Sequence, residues 1–479
     1  MQTAPRKVVN GWAMYDWANS VYNLVITTTF FPIYFIAVTK GKDDSDTISF
    51  LGRDFVNSSL YDYTLAAAYL LVALLYPILT SIADTRGNKK NFMRFFCYMG
   101  AFGCSLLFFF NESNLWLGVI CFMLAAMGYV GSLVFYNAYL PEIAAPADRD
   151  RISAKGFSFG YVGSVLMQLI GFALVIALGG SEGSRITFLL VGIWWISFAQ
   201  ITFRRLPNRE KKEVVKGNIF RDSFSEVKKV YSEVKKQPVL KRFLRGFFFY
   251  SMGVQTVMLV ATLFGSKLLH LEDTKLILTV VLIQLVAIIG AIVMSRLSAR
   301  HGNFKVLMAV VILWIGVCIA AYITASKAEP LKPIHEKIEA LKKQRGPVDV
   351  NYSKTSTVVS ALDMEIASLE AELSPKQTPI EYSFYALALL VGLVMGGIQS
   401  LSRSTYSKLM PETKDTASYF SYYDLTEKIA IVIGMLSFGY IEELTGSMAN
   451  SILSLIVFFV IGLAWLYSAL VKQNKELRQ

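Results

Sequence analysis

The sequence predicts an all-α membrane protein, with about twelve transmembrane helices in two six-helix pseudo-symmetric bundles. Three observations predict it. Apolar runs of about twenty residues recur throughout the 479 positions, each long enough to cross a hydrocarbon core of about 30 Å at 1.5 Å per residue. A basic stretch near the middle, Arg204 to Arg245, holds about fourteen Lys/Arg against five Asp/Glu and has long apolar segments on both sides. Short motifs before this stretch return after it in the same order. A chain that is 54% hydrophobic and only 17% charged, with a mean hydropathy of +0.47, is too apolar for an ordinary soluble enzyme.

The first span runs from about Trp12 to Val38 and is followed by an acidic loop with Asp43, Asp44 and Asp46. The second, about Leu60 to Ile82, ends in the charged turn Asp84-Thr85-Arg86-Gly87-Asn88-Lys89-Lys90. Spans three and four cover about Phe92–Phe110 and Leu115–Tyr139, and a polar loop from Pro141 to Ser153 carries the run Asp148-Arg149-Asp150-Arg151. Spans five and six are about Ala154–Leu178 and Ile186–Phe203. Beyond the basic stretch follow about Phe247–Leu269, Leu276–Leu297, Val306–Ala325, Phe384–Leu401, Tyr419–Ile441 and Ser451–Val471. The domains are then 1–203, a basic linker 204–245, and 246–479 with an insertion at 326–380.

The net charge of +12 raises nucleic acid as a partner, but the cations sit in alternate loops. That is the positive-inside pattern, so no nucleic acid is expected and both termini are assigned to the cytoplasm. Arg6-Lys7 leads straight into a long span, so no cleavable signal is expected. Cys97, Cys104, Cys121 and Cys318 all fall within apolar spans and read as small buried hydrophobes rather than a disulfide framework. In the insertion, Ile334, Ile338 and Leu341, then Leu362, Ile366, Leu369 and Leu373, recur at helical spacing on either side of Gly346-Pro347. A helical hairpin outside the membrane is the simplest reading, as a solvated cap or a partner-binding module.

The internal repeat rests on two pairs. Gly87-Asn88-Lys89-Lys90 after span two is matched by Gly302-Asn303-Phe304-Lys305 after span eight, an offset of about 215. Tyr139-Leu140-Pro141-Glu142 is matched by Leu409-Met410-Pro411-Glu412, an offset of about 270. The difference of about 55 is the size of the insertion. Two similar bundles suit alternating access about a central site. Asp84, Arg86, Gly87 and Gly302 are then candidates for a latch on the cytoplasmic face, the glycines supplying tight turns.

The turn Ala83 to Lys90 resembles the cytoplasmic loop signature of the major facilitator superfamily, departing from it at Thr80 and Thr85. A closer likeness begins at Gly11-Trp12-Ala13-Met14-Tyr15-Asp16-Trp17-Ala18-Asn19-Ser20 and continues to Phe30-Phe31-Pro32-Ile33-Tyr34-Phe35. With Tyr136-Asn137-Ala138-Tyr139-Leu140-Pro141-Glu142 and Gly397-Ile398-Gln399-Ser400-Leu401-Ser402-Arg403-Ser404, it resembles the autophagy-22-like branch. The resemblance implies the major facilitator fold and solute transport, with amino acids as first choice of substrate. It also implies a central cavity lined by the first and fourth spans of each half. Asn19, Tyr22, Asn23, Tyr129, Gln255 and Gln399 are the candidates there; their other reading is helix-to-helix hydrogen bonding.

Charge inside a span costs ~2.5–3.5 kcal/mol at the centre, so it marks function by default. Asp16, among Tyr15, Trp17 and Asn19, suits proton coupling or a latch with a basic loop residue. Span eleven holds Asp424, Glu427 and Lys428; Asp424 and Lys428 at i,i+4 can neutralise one another, and Glu427, about 12 Å inside, is the favoured proton site, with Lys428 as its partner or an anion contact. A structural charge network is the alternative. The three histidines, with no matching carboxylate or Cys spacing, exclude a metal centre, and no phosphate-cradling loop is present, so neither cofactor nor catalysis is expected. The function expected is a monomeric, proton-coupled transporter of a small polar solute in a lipid bilayer, protons or another ion driving it. The rival readings are a sugar or muropeptide permease, a polytopic lipid-handling protein or membrane enzyme, and a receptor sensing through the hairpin.

Overall fold

Hydrocarbon offers no partner to a free backbone N–H or C=O, so a chain this apolar must close its hydrogen bonds within helices. The computed structural model describes residues 2–40, 47–86, 88–208, 219–271, 273–345 and 357–478. Six long helices form the first bundle: α1 Arg6–Val38, α2 Asn57–Arg86, α3 Lys89–Leu106, α4 Leu115–Asn137, α5 Arg149–Leu178 and α6 Gly180–Arg205. After a connecting helix, α7 Ile219–Lys236, come α8 Pro238–Leu263, α9 Asp273–His301 and α10 Asn303–Ala328. An outlying helix α11, Lys332–Arg345, precedes α12 Thr357–Leu409, α13 Thr416–Thr445 and α14 Met448–Glu476.

Among the described residues, eleven helices are long and apolar enough to cross a membrane. The twelfth, α13, is 30 residues long and packs like the rest; Asp424, Glu427 and Lys428 are what lower its hydropathy. The pairings repeat between halves. α1 meets α5 and α6 as α8 meets α13 and α14, and α4 packs on α2 and α3 as α12 packs on α9 and α10. The halves meet chiefly where α5 faces α9 and α12, and where α2 faces α13. We call the side holding both termini and α7 the basic face.

Within each half, glycines set the spacing. On α9 and α12, a Cβ at Gly396 would fall on the carbonyl oxygen of Ala287, and one at Gly290 on that of Leu393. The Gly396-Gly397 pair therefore serves backbone-to-backbone packing.

Four features depart from the hydropathy reading. α1 widens into π-helical turns over Tyr22–Phe30, where Val25, Ile26, Thr27, Thr28 and Thr29 form a run of β-branched residues. The opened backbone lends the Thr27 carbonyl to the Tyr61 hydroxyl at 2.6 Å and the Leu24 carbonyl to Gln168 Nε2 at 3.0 Å. A small antiparallel hairpin, β1 Thr47–Phe50 with β2 Arg53–Val56, follows α1. In the linker, α7 is an amphipathic helix whose Val230 and Val234 are buried as it crosses the basic face against α2, α8 and α13. The insertion is indeed a helical pair, but its second arm is the upper part of α12 and runs unbroken through Pro375 and Pro379 into the membrane. Its separating Gly346-Pro347 lies outside the described residues.

The two arms are zipped by Ile338, Ile366 and Leu373, all buried, and by exposed ion pairs Lys337–Glu365, Lys342–Glu370 and Arg345–Asp363. A second contact fastens them to the loop after α8. Gln377 donates to the Leu269 carbonyl at 2.7 Å and meets His335 Nε2 at 3.1 Å; the His335 ring stacks on His270 with centroids 4.3 Å apart. Burial, then the neighbouring His335, hold the His270 imidazole below its ordinary range, against the opposing pull of Glu339 and Glu336.

Two outcomes follow. Gly396→Leu lowers detergent thermostability by about 1–3 kcal/mol or prevents folding, whereas Gly316→Leu, with nothing within 4 Å of its Cβ, is tolerated; thermal melting with size exclusion measures both. Because folding depresses the His270 pKa, the contact's stabilisation is present above about pH 6.5 and is lost as pH falls below it. Protection factors in α11, taken relative to the intrinsic exchange rate at each pH, should therefore fall from pH 7.5 to about pH 5.5, and His270→Gln should remove that change.

Candidate functional site

The least affordable group in a membrane is a guanidinium, because it cannot shed its charge. Arg403 of α12 is 4% exposed, and every described partner of its side chain comes from the other half. Both Nη atoms lie 3.3 Å from Asp16 Oδ2; Nε donates to Ser153 Oγ at 3.0 Å, Nη2 to the Ser153 carbonyl at 2.9 Å, and Nη1 to Asn137 Oδ1 at 3.3 Å. The cation also lies over the rings of Phe157, Trp12 and Tyr136, at 4.2, 4.8 and 5.5 Å.

The sequence around Asp16 is built for this. Trp12 and Asp16, one turn apart, present one face of α1. Trp12 stacks on Tyr136 at 4.5 Å and donates to its carbonyl at 3.0 Å, while the Tyr136 hydroxyl donates to Asp16 Oδ2 at 2.7 Å. On α5, a Cβ at Gly156 would run into Asp16 Oδ2 and Arg403 Nη2. Glycine there leaves room for the pair.

Nearer the basic face, two further clusters join the halves. Asp84, at the end of α2, accepts from the backbone N–H groups of Ser418 at 2.8 Å and Ala417 at 3.3 Å, and from the Ser418 hydroxyl at 2.9 Å. It thus caps the start of α13, where orphan donors and the helix dipole favour a carboxylate. Lys89 bridges Asp84 at 2.9 Å and Glu142 at 2.6 Å and bonds the Thr416 hydroxyl, which itself donates to Glu142 at 2.7 Å. The pseudo-symmetric counterpart centres on Asp150, at the start of α5, and takes its partners from the second half. It accepts from Lys408 and Ser298, each at 2.6 Å, and from Asn303 at 2.8 Å. Gly302, at φ +87°, makes the turn that brings Asn303 there. Arg149 completes the layer by donating to the Ser407 carbonyl at 2.5 Å.

Above these clusters the interface opens onto a polar middle. Glu427 accepts from Gln255 at 3.0 Å and pairs with Lys428 at 3.2 Å; Lys428 lies over the Tyr69 ring at 5.3 Å. Tyr161 donates to Gln399 Oε1 at 2.7 Å, and Gln399 Nε2 reaches Met258 Sδ at 3.6 Å. Tyr69, Tyr129, Gln255, Gln399, Glu427, Lys428 and Asn23 are all only partly buried although they sit at mid-helix. Two contacts here cross between the halves, Lys428 with the Tyr69 ring and Tyr161 with Gln399. Farthest from the basic face, Gln284 donates to Gln168 at 3.0 Å; beyond it, no hydrogen bond or ion pair among the described residues joins the two halves.

Of the two carboxylates expected to partner Lys428, the structure pairs it with the adjacent Glu427 and not with Asp424 at i,i+4; buried Asp424 stands beside Asn137 with Oδ2 unpartnered. Asn19 and Tyr22 are fully buried inside the first bundle, Tyr22 against Trp195 and Tyr129, and so lie off the polar middle. Gly87 lies outside the described residues, as does the side chain of Arg86. Arg403, Arg149, Lys89, Gln168 and Gln284 were not among the expected site residues. Ending span ten at Leu401 put Arg403 in a loop, whereas the helix continues to Leu409.

The Asp16–Arg403 pair yields a measurable coupling. Asp16→Asn leaves a buried cation unpaired and should cost about 3–5 kcal/mol, while adding Arg403→Gln should recover part of that loss. A double-mutant cycle on thermal unfolding in detergent checks it; strictly additive losses would contradict the pairing.

Known proteins share this architecture. The chain matches the family described as "Vacuole effluxer Atg22 like" over residues 4–148, 146–340 and 375–479, a match that leaves out most of the helical hairpin. It is 28% identical to the uncharacterized MFS-type transporter YxiO of Bacillus subtilis, over 95% of this chain and 93% of that protein. Autophagy-related protein 22 of Kluyveromyces lactis is 21% identical over 99% of the chain and 96% of its own length. Among solved structures, the human organic anion transporter MFSD10 superimposes with a TM-score of 0.67 at 12% identity, covering 96% of this chain and 99% of that one. The Escherichia coli fucose:proton symporter FucP gives 0.61 at 12% identity, each chain covered to 97%. By its sequence match and its fold, this integral membrane protein belongs to the Atg22-like family of major facilitator superfamily transporters.

Proposed function

We propose that the chain is a proton-coupled secondary transporter that moves a small zwitterionic solute, amino acids first, by alternating access. One observation carries the reading. A carboxylate, an ammonium, two amides and two tyrosine rings stand partly accessible at mid-depth between the halves, while the polar links between the halves lie level with them or toward the basic face, save Gln168–Gln284. With that face in the cytoplasm, as the positive-inside pattern favours, the state described is closed to the cytoplasm. The Asp16–Arg403 and Asp150–Lys408 pairs, with the bonds of Asp84 to Ser418 and of Lys89 and Glu142 to Thr416, form its gate.

Glu427 and Lys428 are complementary to the ammonium and carboxylate of an amino acid. Each is already paired to the other at 3.2 Å, so a zwitterion can exchange for that pair without leaving either charge bare. Protonation of Glu427 would release Lys428 and Gln255 together, which links a proton to solute binding. Opening the other way requires the gate contacts to part; being polar, they can be taken over by water as the halves rock.

Reconstitution in liposomes tests this. Labelled amino-acid uptake should rise with an inward proton gradient, and Glu427→Gln should bring the gradient-driven part down to the level of protein-free vesicles. Absence of flux for every amino acid, with monodisperse folded protein, would overturn the substrate class and direct the screen to sugars and cell-wall fragments. Gradient-insensitive flux would overturn proton coupling alone.

A further inference from the structure

At the basic face, away from the polar middle, a cavity of about 290 Å³ lies between the start of α8 and the end of α14. It is lined by Lys235, Lys241, Arg242, Arg245 and Trp465, with Pro238 and Ser468. Four cations converge there, and none is in an ion pair among the described residues. The neighbouring carboxylate of Glu233 is taken by the Tyr419 hydroxyl at 2.6 Å. Two of the four are held in place: Arg242 Nη1 donates to the Ser468 carbonyl at 3.0 Å, and the Arg245 guanidinium lies over Trp465 at 4.6 Å. Pro238 opens α8, so the positive end of that helix points at the same cavity.

A concentration of unneutralised charge costs free energy through self-repulsion, so four converging cations, two of them held in place, favour an anion between them. Depth identifies the source of that anion. Trp465 and Ser468 precede the polar tail Lys472-Gln473-Asn474-Lys475 by one to two turns, and on the other wall the first apolar stretch of α8 begins just after Arg245. The cavity therefore straddles the boundary between headgroups and acyl chains, where an indole settles and where cations meet phosphate. Close approach of α8 and α14 at Gly246 and Gly462 keeps its walls from separating.

We propose that this cavity is a binding site for the phosphate headgroup of an anionic phospholipid. The arginines hold the phosphate, the lysines add long-range attraction, and Trp465 packs against the glycerol and first acyl carbons. Because Lys235 lies in the last turn of α7 and α8 begins at Pro238, a bound lipid also fastens the linker between the halves to the membrane surface.

The test uses the full chain in detergent, titrated with brominated phosphatidylglycerol and, separately, brominated phosphatidylcholine, with tryptophan quenching as readout. Phosphatidylglycerol should quench at lower concentration, and Arg242→Gln/Arg245→Gln should weaken its binding about 25-fold, at about five-fold per cation. Arg296→Gln/Arg300→Gln removes the same charge elsewhere on this face and should leave binding unchanged. Trp465→Phe should remove the saturable part of the quenching. Equal quenching by the two lipids, or equal weakening by both double variants, would overturn the site. Displacement of the lipid by millimolar inorganic phosphate would overturn the lipid assignment in favour of a soluble anion. Should the arginine pair fail to fold, Lys241→Gln with an expected five-fold loss keeps the comparison.

Discussion

The molecule depends on a single buried charge and its satisfaction across the two halves. Arg403 belongs to the second bundle, and the described partners of its guanidinium are Asp16, Asn137 and Ser153 with the rings of Trp12, Tyr136 and Phe157, all from the first. A guanidinium cannot be neutralised by losing a proton. The halves can therefore part only if water or another polar group replaces those contacts. Buried ion pairs add little net stability relative to a good apolar contact, yet breaking one without compensation is costly. A contact of that kind defines which arrangement is closed without making it permanent.

The chemistry of the interfaces is divided accordingly. Inside each half, glycine-mediated backbone contacts and interlocked aromatic rings, such as Gly396 on Ala287 and Phe31 on Phe122, have no water-borne substitute, so each half is packed as a unit. Between the halves, the links are carboxylates, amides, hydroxyls and cations that bond water as readily as each other. The internal repeat extends to this division. Asp84 ends the second helix of its half and caps α13, while Asp150 begins the fifth and takes Ser298 and Asn303 from around Gly302.

Hydropathy read the twelve spans and the two halves well because the energy of burying twenty apolar residues exceeds every local effect. That held even for α13, where Asp424, Glu427 and Lys428 interrupt the apolar run. What hydropathy could not read was where a helix outlasts its apolar run. Arg149 and Asp150 were placed in a loop and Arg403 just past a span, yet all three are helical and buried because a partner bundle supplies their counter-groups. Partner choice was only half legible: the spacing offered Lys428 both Asp424 and Glu427, and the cation follows Glu427 and the Tyr69 ring, a choice that packing makes. The widened turns of α1 have a visible cause in Val25 to Thr29, although β-branched runs are common in spans and seldom take this form.

The length of α12 has a mechanical consequence. Its 53 residues make a rod about 80 Å long, with Gln399 in the polar middle and the zipped arm of the hairpin near the opposite end. From Gln399 to Ala361 the lever is about 57 Å, so a rotation of about ten degrees in the membrane sweeps the arm through about 10 Å. The second bundle thus carries its own pointer, magnifying outside the bilayer a tilt that inside it amounts to little more than a side chain's width.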